Sequence, residues 1–116
     1  MNTEFYRIVS AFGEIVESVE NFQFSQEESV SQLRAKIRLF DGTSLRVREV
    51  QIRGKSDVYS YYWLRPDDSV IIGWDNAPHH PEISTFPYHR HTGDRIEPSE
   101  KMNLAKIFEF ISDFFG

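Results

Sequence analysis

The sequence predicts an α+β fold, a four-stranded antiparallel meander that packs an N-terminal and a C-terminal helix on one face. Apolar residues recur at three- and four-residue steps near both ends of the chain, and at two-residue steps through residues 33–74. Residues 75–98 hold four of the five prolines and follow neither period, which marks a long loop before the closing helix.

The first helix is drawn through Phe5, Ile8, Val9, Phe12, Ile15, Val16 and Val19, with Thr3 as its N-cap. The polar run Ser25–Ser29 then reads as an exposed connection. Leu33, Ala35, Ile37 and Leu39 alternate with Gln32, Arg34, Lys36 and Arg38, the period of a half-buried strand, and Asp41-Gly42 supplies a turn. Pairing Leu39 with Leu45 and Ile37 with Val47 requires an odd-length loop, Asp41-Gly42-Thr43, because a two-residue loop would set Ile37 opposite Arg46. A turn at Gly54-Lys55, a strand from about Val58 to Leu64, a Pro66-Asp67-Asp68 turn and a strand from Val70 to Trp74 complete the meander. Leu104, Ile107, Phe108, Ile111, Phe114 and Phe115 form the stripe of the closing helix, capped by Ser99 or Asn103.

A chain of 116 residues builds one sizeable core, so residues 1–116 are expected to form a single domain with a His/Pro-rich functional loop at about 75–98. There is no room for a separate cofactor domain. The absence of Cys removes disulfides, thiolate metal sites and cysteine nucleophiles, and any metal must be held by His and carboxylates. No apolar run approaches the roughly 18 residues of a membrane span, and Met1–Tyr6 has no basic region followed by an apolar stretch, so a cytoplasmic location is expected. The net charge of −5 is unevenly spread. Residues 1–31 hold Glu4, Glu14, Glu17, Glu20, Glu27 and Glu28 against Arg7, whereas residues 32–55 hold Arg34, Lys36, Arg38, Arg46, Arg48, Arg53 and Lys55 against Asp41 and Glu49.

All four histidines fall between positions 79 and 91. Imidazole titrates near neutrality and ligates metals, so such a cluster serves proton transfer or metal binding, and the residues alone leave both open. His89 and His91 flank Arg90 and share one side of an extended segment, the geometry of a divalent-metal pair. His79-His80 reads equally as a rigid turn bonding loop carbonyls. Asp75 is placed either to cap the turn after Trp74, as is Asn76, or to orient an imidazole. Glu49 interrupts the apolar phase of its strand: either it points inward opposite Ala35, where it needs a partner, or a bulge turns it to solvent. Arg34, Lys36, Arg38, Arg46 and Arg48 form a basic face, with Arg38 opposite Arg46 and Lys36 opposite Arg48 in the expected register. An anion should offset them: nucleic-acid phosphate, the acidic faces of the protein's own helices, or an acidic partner. Tyr59, Tyr61 and Trp63 stack bases or pack the sheet.

The run Trp74-Asp75-Asn76-Ala77-Pro78-His79-His80-Pro81-Glu82-Ile83-Ser84-Thr85-Phe86-Pro87, followed by His89 and His91, resembles the signature of the TumE family of type II toxin–antitoxin toxins. Leu33–Gly42, Arg48-Glu49-Val50, Tyr59-Ser60-Tyr61 and Leu104–Ile111 extend the likeness over most of the chain after residue 30. Gly73 departs from the pattern where a basic residue is expected, and Tyr62 where a His is frequent. The resemblance implies a toxin with a cognate antitoxin, a small DNA-binding protein. The function expected is a metal-independent ribonuclease acting on RNA. Among His79, His80, His89 and His91 one would be base and another acid, Asp75 or Glu49 would orient an imidazole, and Arg90 with the basic strands and Tyr61 would bind substrate. Trp74, Asn76, Pro78, Pro87 and His89 would shape the loop, with Trp74, Ile83, Phe86 and Tyr88 as its apolar anchors. The alternatives are a non-catalytic module binding an acidic partner and a His/carboxylate metal hydrolase with a divalent metal at His89 and His91.

Overall fold

A computed structural model describes residues 3–53 and 57–116. Helix α1 (Thr3–Ala11) leads into strands β1 (Val16–Glu27), β2 (Val30–Leu39), β3 (Ser44–Ile52), β4 (Val58–Leu64), β5 (Val70–Asp75), β6 (His89–Thr92) and β7 (Arg95–Pro98), and helix α2 (Leu104–Phe115) follows. The strands form one antiparallel sheet in the order β1-β2-β3-β4-β5-β6-β7. The α+β class agrees with the sequence-based expectation, but the sheet has seven strands where four were expected.

Three of those seven lie outside the expected meander. The first helix ends at Ala11, and Ile15, Val16 and Val19 belong to a turn and to β1, where Val19 faces Ile37. The polar run Ser25–Ser29 continues β1 to Glu27 and turns at Glu28, whose φ is 54°. At the other end, residues 89–92 form an interior strand inside the expected loop, joined to β7 through Gly93 at φ 61°. Pro98 sits at the last position of an edge strand, where its missing N–H leaves no ladder bond unmade.

The β2–β3 hairpin has the expected parity but is displaced by two residues. Ile37 pairs with Leu45 and Ala35 with Val47, and the Leu39 amide donates to the Thr43 carbonyl at 2.9 Å. The Asp41 carboxylate accepts from the Thr43 amide at 3.0 Å and its hydroxyl at 2.6 Å, an Asx turn that closes the loop one residue earlier than expected. The opposed like charges are therefore Lys36 with Arg46 and Arg34 with Arg48, and Glu49 faces Leu33 instead of Ala35. The Pro66-Asp67-Asp68 turn forms as expected, with Asp67 accepting from Ser69. The Gly54-Lys55 turn and the Thr3 side chain lie outside the described residues.

Inward residues of β2–β5 (Leu33, Ala35, Ile37, Leu39, Leu45, Val47, Tyr59, Tyr61, Trp63, Trp74) form one cluster with Phe5 of α1 and Leu104, Ile107, Phe108 and Ile111 of α2. Burying each large apolar side chain stabilises by about 1.5–3 kcal/mol. Phe12 stacks on Phe108 with ring centroids 5.1 Å apart, so both helices cover the same face. Asn103 caps α2 by accepting from the Lys106 amide at 2.9 Å.

Candidate functional site

The other face of the sheet carries the polar chemistry. Successive side chains of a strand alternate between faces, so the register places residues in rows across the sheet. One outer row runs Arg34, Arg48, Ser60, Asp75, His89, and the next runs Lys36, Arg46, Tyr62, Gly73, His91. The basic band and the histidine cluster thus share one face, with Arg48 two strand spacings, about 10 Å, from Asp75.

Asp75 is the centre of the cluster. It is 8% exposed, and both carboxylate oxygens are engaged twice. Oδ1 lies 3.0 Å from His89 Nε2 and accepts from the Ala77 amide at 3.0 Å. Oδ2 lies 3.2 Å from His91 Nε2 and accepts from the Tyr62 hydroxyl at 3.2 Å. Asp75 therefore both caps the turn and orients two imidazoles, the two roles the sequence left open. Burial, reinforced by the charge of Asp75, pushes the Tyr62 hydroxyl up to about 12, so it remains a donor. His89 is 2% exposed, and its Nδ1 donates to the Pro87 carbonyl at 3.0 Å. The segment between β5 and β6 is a chain of turns (Ile83 amide to His80 carbonyl, Phe86 to Ile83, Tyr88 to Thr85) that returns His80 over the cluster. The His80 ring centroid stands 5.0 Å from that of His89 and 6.1 Å from that of His91, with Nδ1 3.4 Å from Glu82. Tyr88 packs against the core, while Phe86, expected to anchor the loop, is exposed.

Several expected site residues lie elsewhere. Glu49 points inward from a regular strand, where the Tyr61 hydroxyl donates to it at 2.5 Å. No bulge displaces it, and the sheet separates it from the imidazoles. Burial pushes both groups up, the Glu49 carboxyl against the relief given by Tyr61. Tyr61 is buried, stacked on Tyr59 with centroids 5.2 Å apart, and presents no face to a base. Glu49 and both tyrosines border a separate helix-side cavity of 420 Å³ with Lys101, Met102 and Lys106. Arg90 shares the inner parity of Trp74 and bonds Glu97 at 3.2 Å, away from the cluster. His79 and Pro78 are exposed; among the described residues no side-chain bond or ring contact ties His79 to the other histidines. Trp74 is core, edge-on to Phe110, and Asn76 ties β5 to β4 by accepting from the Tyr59 amide at 3.0 Å and donating to the Asp57 carbonyl at 2.7 Å.

In the basic band, Arg38 pairs with Glu20 at 2.6 Å and Lys36 with Asp68 at 3.2 Å, so these counterions come from β1 and the β4–β5 turn, not from the helices. Arg34, Arg46 and Arg48 have no carboxylate within 4.0 Å among the described residues. With Gln23 and Ser60 they line an open depression of 360 Å³.

The Trp74–His91 signature therefore folds into a buried carboxylate with imidazoles around it, and the family model of Toxin TumE matches residues 5–115. The chain belongs to the TumE toxin family. Neither the curated proteins nor the solved structures contain a match. Relative to the TumE pattern, the site residue that sequence reasoning missed is Tyr62, which appeared there as a departure. Its outward direction was available from the inward phase of Tyr61 and Trp63.

Proposed function

We propose that this TumE-family chain is the toxin of a type II toxin–antitoxin module and acts as a metal-independent ribonuclease. The observation that carries the reading is the Asp75 carboxylate holding His89 and His91 by their Nε2 atoms, with His80 beside them, on the face that also carries Arg34, Arg46 and Arg48. RNA would lie along that face with phosphates on the arginines. Cleavage requires a base to take the 2′-hydroxyl proton and an acid to protonate the leaving 5′-oxygen. His91, partly exposed and oriented by Asp75, fits the base, and His80, partly exposed with its ring centroid 6.1 Å from that of His91, fits the acid. The buried His89 holds Asp75 in place. Arginines with no carboxylate partner among the described residues also suit an acidic surface on an antitoxin, which would shield the site by covering the same face.

The test is RNA cleavage by purified protein with and without chelator, against His91→Gln and His80→Gln. Cleavage that survives the chelator and falls about 10²-fold or more in either variant, with melting unchanged, supports the reading. Wild-type protein without cleavage of any RNA overturns it, as does full activity in both variants.

A further inference from the structure

We propose that Asp75, His89 and His91 form a binding site for a borderline divalent transition metal, with zinc as the representative ion, and that occupancy silences the toxin. The silencing clause rests on the ribonuclease reading; the site itself does not.

One ligand atom from each of the three residues falls within 4.8 Å of the others. A tetrahedral zinc holds nitrogen and oxygen donors at about 2.0–2.2 Å, which sets the donors about 3.3 Å apart. The Asp75 Oδ1–His89 Nε2 and Asp75 Oδ2–His91 Nε2 separations of 3.0 and 3.2 Å are each within a few tenths of that spacing, so an ion between the rings would meet both carboxylate oxygens, or one oxygen after a turn of the carboxylate. Two imidazoles and one carboxylate are the donor set of zinc, cobalt and iron(II), whereas magnesium and calcium take oxygen.

The second observation is the tautomer of His89. A carbonyl only accepts, so the 3.0 Å contact with Pro87 fixes the ring proton on Nδ1. Nε2 of a neutral ring is then a bare lone pair, and it faces a carboxylate oxygen at 3.0 Å. Two acceptors at that distance need a positive centre between them, a proton or a metal ion. An imidazole whose far nitrogen donates to a backbone carbonyl is also the arrangement that orients metal-binding histidines. Tyr62 and the Ala77 amide hold the carboxylate in the same way from its other sides. His91 is the more open member, leaving room for water or His80 at a fourth position. Binding releases any Nε2 proton of His89 to solvent and shifts that of His91 to its own Nδ1, so both Nε2 lone pairs pass to the metal while both Nδ1 atoms carry protons. His91 then has no lone pair with which to accept the 2′-hydroxyl proton.

The experiment titrates metal-free protein with zinc by calorimetry and with cobalt(II) by visible absorption, beside Asp75→Asn, His91→Gln and His79→Gln. The expected result is one site per chain, a four-coordinate cobalt spectrum abolished by zinc, and affinity reduced more than about 10²-fold in Asp75→Asn and His91→Gln but not in His79→Gln, since even outer partners of a ligand contribute 10–100-fold. Circular dichroism confirms that each variant is folded, and zinc should raise the melting temperature of wild type but not of His91→Gln. No saturable binding at micromolar zinc, or equal binding by wild type and both ligand variants, overturns the site. Cleavage assayed in the same samples separates the two proposals: zinc binding in a protein that cleaves no RNA sustains the site and removes the ribonuclease, while undiminished cleavage at saturating zinc overturns the silencing.

Discussion

The ring of Tyr62 fills the space that a side chain at Gly73 would enter: a Cβ there would stand 2.8 Å from Cε1 and 2.9 Å from Cδ1. The two positions expected from the sequence to depart from the TumE pattern are thus one feature, since a side chain at 73 and the Tyr62 ring in its present place compete for the same space. Gly73→Ala should push the ring off Asp75 and destabilise by about 1–3 kcal/mol. In Tyr62→Ser the same substitution should be nearly harmless, and a double-mutant cycle by urea unfolding measures the difference. Additive effects would show that the two residues are independent.

Glu49 makes stability fall as pH rises. Its carboxyl is raised by burial in the folded state, so below the ordinary carboxylate range both folded and unfolded forms are protonated and nothing is lost. Above that range the unfolded chain releases its proton first, and the folded state is penalised until its own carboxyl ionises. Glu49→Gln, which still accepts from Tyr61, should melt several degrees higher than wild type at pH 7 and alike near pH 4.

Arg46→Gln with Arg48→Gln removes two outer-face charges that have no carboxylate partner among the described residues. RNA affinity should become less salt-dependent, the slope of log K against log salt shrinking by about 1.4 if each contacts one phosphate of a single strand. Relief of the opposed pairs with Lys36 and Arg34 should leave folding unharmed or improve it by up to about 1 kcal/mol per pair. An unchanged slope would place RNA elsewhere.

The histidines should divide by burial. His89→Gln loses the bonds to Pro87 and Asp75 inside the structure and should destabilise by about 1–3 kcal/mol, whereas His79→Gln should melt as wild type does. Thermal denaturation of the two variants settles the assignment.

Strands β2–β5, the Asx turns and α2 were legible because most inward residues are apolar, Glu49 being the exception at the centre of β3, and each turn residue bonds its own backbone. Strand β1 was not, because two register shifts, at Val16/Ser18 and Glu20/Gln23, stretch its inward spacing. Val16, Val19 and Phe22 then recur at three-residue steps and imitate a helix. Strand β6 was hidden for another reason: His89 and His91 carry the site on its outer side and Arg90 bonds Glu97 on its inner side, so no apolar alternation remains. The histidine cluster was visible as composition, but its meeting with Asp75 depends on the path of residues 76–88. Glu49 was placed with it because it interrupts the apolar phase of its strand, and Tyr61 because the resemblance to the TumE family carried it over.

Every strand pairs with its neighbours in the chain, and among the connections between them the one spanning residues 76–88 is the longest. Closing a loop of about 13 residues loses about 1 kcal/mol more chain entropy than closing one of about 4. That closure is also the one that joins Asp75 to His89. A sheet that assembles hairpin by hairpin from its centre would therefore acquire the Asp75–histidine cluster late, and on warming should release it before the helix-covered core gives way. Toxicity would then be a property of the fully annealed chain only, leaving nascent and fraying molecules harmless.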